Sequence, residues 1–569
     1  MASAAIAADQ PANQWANFLT GKPGQDNLTA IATDGTDRIY WFATDASTSA
    51  DRDVTYDGAK LYDGAEYSGT GANLNMTLLK TDADGNAQWC IHSNYGDFLA
   101  SSGGVAVTAT GDVVFCGKVR HTDGALDKPV SFTDAKNNTI TLDWSVEQRY
   151  QRLYIAKCTS DGELLWVRTC DLETAMNRNG KTFASDAVSP NGIAVDADGN
   201  IYVGGNFRAT MSVEKQDGSI ATISPKNLAK YDGSVQGSCG AMFLLKLDSD
   251  GYYLNSITES GNEISESKII GLEYADGKLY VNGTATGLDD TSRITFAGVE
   301  LTPATYPSPI IASLNTDLSA NWVTLLPGGT DELGSNNAVQ NTATTFNNGT
   351  LWYCGQFSGK ISDPANASNS VATTYKKNTR EGFLIKLDAA TGSWVKGVAS
   401  QAGFADTFIT AYLKPICPAE EPENVYVYGY GMNAASGVFM RCYNSGTLAA
   451  DSDNSWILVK AGAVPTAVGI AYVPQSGAIF TGTRTNSAAE PLGGTVTEKP
   501  AGFTTLLSCF KMGTGFTSGI KSIGIDTDSA DNTDDTPARY FTIDGTEVAT
   551  PVSGLYIRLR GSKAEKVIF

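Results

Sequence analysis

Histidine is nearly absent from this chain: among 569 residues there are two, His92 and His121. Because histidine is the commonest general base and metal ligand, its scarcity removes most zinc and triad chemistry. No zinc-type spacing, P-loop or G-x-S-x-G elbow is present either. The sequence therefore predicts no catalytic set, no metal and no cofactor. Positive charge is also short, with 41 Lys and Arg against 61 Asp and Glu and a net charge of -20. Such a surface repels phosphate backbones, so nucleic acid is excluded as a partner. No run reaches the roughly 18 apolar residues of a membrane-spanning helix. The opening MASAAIAADQ lacks the basic and apolar regions of an export signal, although a chain cut just after signal cleavage would begin this way.

What is abundant points to strands. There are 59 glycines and 24 tyrosines against 8 methionines, and Asp-Gly and Asn-Gly pairs recur. Short strands joined by tight turns are expected, with almost no helix. Of the nine cysteines, Cys116, Cys158, Cys354, Cys442 and Cys509 sit in strand-like runs and read as buried free thiols. Cys239 and Cys417 lie outside such runs and leave one disulfide open.

Two patterns alternate along the chain. The first is an apolar strand, a turn and a second strand ending in Gly: GVAVTATGDVVFCG at 104–117, GIAVDADGNIYVGG at 192–205 and GLEYADGKLYVNG at 271–283, with weaker copies from 30, 342, 409 and 469. The second is an apolar run, a polar turn and a strand that usually bears Trp: MTLLKTDADGNAQWCI from 76, LYIAKCTSDGELLWV from 153 and IIASLNTDLSANWVTLL from 310. Together they make a four-strand unit, A to D, present seven times. The seventh copy, GFTTLLSCFKM from 502, stops before its last strand, and NQWANFLTG at 13–21 matches the missing piece. A ring closed in this way has no exposed sheet edge at its seam, whereas a stacked array would need capping repeats. The expected fold is all-β: a seven-bladed β-propeller over residues 13–516, closed by the N-terminal strand.

The same assignment sorts the loops. A-B and C-D connections are short turns at one end of each unit, and B-C and D-A connections emerge at the other. Five B-C connections are long (47–73, 121–150, 208–240, 287–308 and 359–380), and several read as inserted hairpins. Aromatic residues collect in them: Tyr56, Tyr62, Tyr67, Trp144, Tyr150, Tyr231, Tyr306 and Tyr375. Aromatic faces beside polar groups suit sugars and protein hot spots. The alternative role for these rings is to pack the hairpins themselves. Loop carboxylates such as Asp127, Asp143 and Asp289 are the only candidates for acid and base work, which would require a pair in one cleft. The Asp-x-Asp-Gly turns (Asp82, Asp196 and Asp248) have Gly at position four rather than six and read as hairpin turns, not calcium loops. A column of cations, Lys80, Lys157, Lys246, Lys386 and Arg441, precedes the C-D turns and reads as snorkelling or paired charges.

The stretch GNFRATMSVEKQDGSIATISPK, followed by GAMFLLKLDSDGYYLNSI, resembles the SBBP-type β-propeller repeats of secreted bacterial proteins. That resemblance implies a propeller in an exported setting and carries no common catalytic residues. After an acidic linker at 517–538, residues 539–569 resume alternation. RYFTIDGTEV, GLYI and the final KVIF resemble the ends of C-terminal sorting domains used by Bacteroidetes in type IX secretion. A short β-rich tail of this size cannot bury its own core. The expectation is a monomeric, extracellular or cell-surface protein that binds a glycan or an extracellular protein, with a carbohydrate-active hydrolase or lyase as the alternative.

Overall fold

The computed structural model describes residues 10–21, 26–36, 38–47, 51–64, 73–121, 129–142, 152–172, 188–225, 240–261, 264–331, 338–373, 380–400, 409–419, 421–431, 437–461, 466–474, 476–494, 503–512, 539–542, 547–548, 555–560 and 563–568. Every regular element among them is a strand, and all the pairings are antiparallel. The unit at 188–258 is the plainest: Val188–Val195, Ile201–Phe207, Ala241–Leu247 and Tyr253–Thr258 lie side by side in chain order. The same order recurs from Asn27–Thr33 to Ala87–Asn94, from Gly96–Val107 to Leu164–Leu172, and from Ile264–Ala275 to Ala320–Leu325. It recurs again from Ala338–Asn347 to Trp394–Ala399 and from Ile409–Ile416 to Ala450–Ala461. In the last unit, Thr466–Val473, Ala478–Thr485 and Thr504–Lys511 take their fourth strand from the other end of the chain. Ala12–Thr20 runs antiparallel to Thr504–Lys511, with Ala16 opposite Ser508 and Leu19 opposite Thr505.

The B and C strands, such as Ile201–Phe207 and Ser308–Leu314, are buried along their whole length, because each sheet is covered on both faces by its neighbours. The core is accordingly built between units. Val114, Cys116 and Ile155 of one sheet pack against Ile201, Val203 and Phe243 of the next. Trp41 and Leu79 of the first unit pack against Phe480, Leu507 and Cys509 of the last. Trp15 meets Trp41 edge-on, with ring centroids 6.1 Å apart. Six of the thiols, including Cys116, Cys158, Cys354, Cys442 and Cys509, are buried and free, and Cys417 is free and half-buried. Cys239 lies outside the described residues.

One contact explains why Trp and Asp-Gly recur together. The strand-D tryptophan of one unit lies over the C-D turn of the next. Trp15, Trp89 and Trp322 donate from Nε1 to the turn carbonyls of Ala83, Ser160 and Ala389 at 2.7, 3.1 and 3.0 Å. Beneath the rings sit Gly85, Gly162 and Gly392, where an added Cβ would stand 2.5, 2.8 and 2.5 Å from ring atoms. The cation column serves the same seam. Lys80, Lys246 and Lys386 donate to the carbonyls of Ser160, Thr316 and Ser445 in the following unit at 2.7, 2.8 and 3.0 Å. Lys157 instead pairs with Asp112 at 3.2 Å, and Arg441 lies over the Phe439 ring. Asp-Gly turns are held by aspartate, in the C-D turns of Asp82 and Asp248 and the A-B turn of Asp196: Oδ1 of each accepts two backbone N–H groups of its own turn at 2.8–3.0 Å, while Thr159 Oγ1 takes that place before Gly162.

The inserted hairpins do something the sequence did not suggest. Each extends the sheet of the preceding unit, not its own. The hairpin Asp53–Tyr56 and Ala59–Asp63 adds to Ala12–Thr20, with Tyr56 opposite Leu19. Ser131–Thr133 adds to Ala87–Asn94, Met211–Glu214 to Leu164–Leu172, and Ala489–Pro491 to Ala450–Ala461. Smaller pairings join Ile294–Phe296 to Ser260–Gly261 and Lys360–Ser362 to Gly328–Gly329. An outer strand is a template for aggregation, and a neighbour's hairpin occupies it. Among the described residues Trp394–Ala399 receives none, the next B-C connection being short, from Gly431 to Gly437. Tyr253–Thr258 and Ala320–Leu325 end their own four-stranded sheets, and there the insertions pair only with the short strands that follow them. The tail strands Arg539–Thr542, Glu547–Val548, Leu555–Arg560 and Lys563–Ile568 form a separate four-stranded sheet.

Two glycine substitutions separate the tryptophan contact from backbone strain. Gly162 and Gly218 have φ of 81° and 78°, but nothing lies within 4 Å of a Cβ at Gly218. Gly218→Ala is expected to cost about 1 kcal/mol from left-handed backbone alone. Gly162→Ala should cost about 2–4 kcal/mol, since overpacking adds about 1–3 kcal/mol. The shift of the urea midpoint at unchanged m-value measures both.

Candidate functional site

The A strands converge on an inner cavity, and every repeat unit contributes to it. At the short-turn end, Ile31, Ala106, Ile193, Leu272, Thr345, Ile416 and Ile470 line one chamber of about 480 Å³, each from a different unit. At the insertion end, where the A strands begin, a second chamber of about 740 Å³ also draws on every unit. The two differ in chemistry.

The chamber at the insertion end is lined by amides. Asn27, Asn191, Gln340 and Asn341 face it with Thr29, Thr342, Lys268 and Tyr430. Several of these groups are fixed. Asn191 Nδ2 donates to Ile269 O at 2.8 Å, Arg380 donates to Gln340 Oε1 at 2.7 Å, and Lys268 Nζ lies 3.7 Å from Glu266. Asn341 sits in a bulge of the strand Ala338–Asn347 at φ 52°, a left-handed conformation that asparagine tolerates better than most side chains. Carboxamides offer both donors and acceptors, and tyrosine an apolar face, which together match a ligand rich in hydroxyl groups.

The chamber at the short-turn end is lined mostly by apolar side chains, with exposed main-chain polar groups between them, and holds one carboxylate, Glu273, with Lys414 and Cys417 also in the lining. Both carboxylate oxygens share a single donor, the N–H of Phe346, at 3.1 Å. Poor solvation raises the Glu273 pKa from its ordinary 4.5 to about 7, opposed by the Lys414 charge and the Phe346 hydrogen bond. Burial, helped by the Glu273 charge, pushes the Cys417 thiol up to about 12. A glycosidase needs two carboxylates at a set separation, and among the described residues lining the two chambers Glu273 is the only one.

The aromatic candidates fare unevenly. Tyr56 and Tyr62 are corrected: both are buried and face the protein, not a ligand. Tyr56 Oη donates to Gly85 O at 2.7 Å, fastening its hairpin to the next turn. Tyr62 bonds Thr77 Oγ1 at 2.6 Å and stacks on His92 at 4.2 Å, while Thr77 also bonds the buried Asp45. The physical reason is the hairpin exchange, which turns these rings into the seam between two units. Burial also lowers the His92 pKa. Tyr306 is half-buried, with its hydroxyl 3.5 Å from Gly328 O. Tyr67, Trp144, Tyr150, Tyr231 and Tyr375 lie outside the described residues, as do Asp127, Asp143 and the His121 side chain. Asp289 accepts the N–H and hydroxyl of Thr291 at 2.7 Å, which lowers its pKa and ties it to its own loop. The inner-cavity residues were missed because single Asn, Gln or Glu residues in a strand carry no motif; a polar residue on an otherwise apolar A strand was the available signal.

Residues 180–206 match the family model described as SBBP, beta-propeller repeat. The chain carries a β-propeller repeat. Among solved structures it is similar to polysaccharide lyase Uly1, with 10% identity over 89% of this chain and 100% of that one and a TM-score of 0.38. It is also similar to a protein of unknown function from Dyadobacter fermentans DSM 18053, with 11% identity over 73% and 95% of the two chains and a TM-score of 0.35. A third is the Hadza microbial sialidase Hz136, with 10% identity over 76% and 73% and a TM-score of 0.35. These likenesses are too distant to carry an argument about ligand or reaction. No curated protein matches the chain. Among the described residues no helix is long and apolar enough to cross a membrane, and no group of three or more metal-ligating side chains occurs.

The raised Glu273 pKa has a sign that can be measured. The fold favours the protonated acid, so its contribution to stability is full below about pH 4.5 and is lost as pH rises through about 7. Glu273→Gln cannot ionise. It should match the native protein near pH 4 and exceed it near pH 8 by on the order of 1–3 kcal/mol, read from urea unfolding at the two pH values.

Proposed function

We propose that this protein is an exported or cell-surface glycan-binding protein, monomeric, built on a seven-bladed β-propeller that residues 13–21 close. The reading rests on one observation: the amide-lined chamber of about 740 Å³ at the insertion end of the cavity. Carboxamides held by neighbouring groups form paired hydrogen bonds with vicinal hydroxyls at little entropic cost. The B-C connections leave the units at that end, and Trp144, Tyr150, Tyr231, Tyr306 and Tyr375 are the aromatic residues the sequence places in them for a sugar face. A net charge of -20 suits neutral or hydroxyl-rich partners better than polyanions. In this reading residues 517–538 are a linker, and the tail at 539–569 is the routing signal. The rival is a carbohydrate-active enzyme whose acid and base come from Asp127, Asp143 or Asp289.

Glycan-array binding of the intact chain tests the ligand class. Gln340→Ala, Tyr430→Ala, Trp144→Ala and Tyr231→Ala should each weaken binding about tenfold or more, the equivalent of one lost anchoring contact. Binding to no glycan, or binding unchanged in all four variants, overturns the assignment; a protein captured instead would identify the other partner class. Release of shortened or unsaturated sugars from a bound glycan would favour the enzyme.

Closure has its own test. Deleting residues 1–21 removes Trp15, Phe18 and Leu19 from the last sheet. It should cost on the order of 5 kcal/mol, since each large side chain contributes about 1.5–3 kcal/mol. Unchanged urea unfolding would mean that this strand does not complete the ring.

A further inference from the structure

The apolar chamber has features the glycan reading does not use. Its volume of about 480 Å³ lies within the range of small-molecule pockets. Ile31, Ala106, Ile193, Leu272 and Ile470 place apolar side chains between its exposed main-chain groups, a lining that can take a short apolar body with a polar head. Glu273 interrupts that wall. An ionised carboxylate accepts about four hydrogen bonds, yet among the described residues the Phe346 N–H is its only donor. The nearby Thr345 hydroxyl is directed elsewhere, donating to Pro415 O at 2.9 Å.

The groups around Glu273 narrow the ligand. Across the strand pair stands Tyr280, and the A strand two units on brings Lys414 to the same chamber, with Cys417 just past its end. Tyr280 and Cys417 are both pushed up to about 12 by burial, so both are neutral at ordinary pH. Lys414 is the charge that acts on Glu273 itself, with no ion pair between them among the described residues, while Asp276 acts on Tyr280 and Lys386 on Cys417. The carboxylate, which is part of the chamber lining, therefore keeps acceptor capacity that no described donor uses. An anion would have to approach Glu273 to reach Lys414; a cation with its own N–H donors would meet what the carboxylate lacks.

We propose that this chamber is a second ligand site, taking a primary ammonium or guanidinium group carried on a small apolar body, with the Glu273 carboxylate as acceptor. Binding is a hydrogen-bonded ion pair with no covalent step. It strengthens as Glu273 ionises, while an aliphatic amine stays charged over the same interval.

Calorimetric titration of the full chain with n-hexylamine, n-hexanol and hexanoate tests this directly. Hexylamine should bind at least about tenfold more tightly than hexanol, as expected of a charge-assisted hydrogen bond in a poorly solvated site. Its affinity should rise between about pH 5.5 and about pH 8.5. Glu273→Gln should abolish both the preference and the pH dependence while keeping the glycan binding of the other chamber, which shows that the variant is folded. If no glycan ligand exists, an unchanged urea m-value serves as that control. Lys414→Met should leave hexylamine binding intact or tighten it. Three results would each overturn the proposal: no amine binding, amine binding unchanged in Glu273→Gln, or a preference for hexanoate that Lys414→Met removes.

Discussion

Indole rings set on glycine turns hold one sheet to the next, and the remaining architecture depends on that seam. A tryptophan on the outer strand of one unit needs a flat surface and a carbonyl acceptor, and a tight turn with glycine in the left-handed conformation supplies both. Trp15 on Gly85, Trp89 on Gly162 and Trp322 on Gly392 repeat the same arrangement. Trp15 belongs to the N-terminal strand, yet it meets the first unit as Trp89 meets the second. The contact is thus the same where the two ends of the chain come together.

Hairpin exchange adds a second layer to this seam. Four insertions leave their own unit and pair with the outer strand of the previous one, so those neighbours are coupled by main-chain hydrogen bonds as well as by side-chain packing. The arrangement covers those edges without a capping domain. It also explains the fate of Tyr56 and Tyr62. They lie in insertions, as ligand-contacting aromatics would, but once the hairpin crosses to the neighbouring sheet their hydroxyls bond Gly85 and Thr77 in the next turn and strand. The lysine column works at the opposite end of the units, donating from one C strand to the following turn.

With the sheets interlocked, the inner cavity is the space that the described residues of every unit share for a ligand. The two chambers share their walls, since both are made by the A strands, but a few residues separate their chemistry. Near the start of the strands Asn191, Gln340 and Asn341 bring carboxamides to the lining; further along, Ile193, Leu272 and Ile470 bring apolar side chains around Glu273. A shared strand set can therefore present two unlike sites without any dedicated domain.

Much of the architecture was legible in the sequence because its causes are local. Period-two alternation, Asp-Gly turns and a tryptophan at a constant offset depend on residues within a few positions of one another, and they predicted all-β units in chain order. The partner of NQWANFLTG could be named because the last copy lacks the same strand. Which sheet each hairpin joins was not legible: the hairpin's own residues pair equally well with any free edge, and only the placement of neighbouring units decides among them. The cavity residues were equally silent. Asn191, Gln340 and Glu273 lie about 70–80 residues apart in different repeats, and nothing in their flanking sequence marks them. Tertiary structure brings them to one axis because every unit turns the same strand inward, and that convergence gives isolated polar side chains a common ligand space.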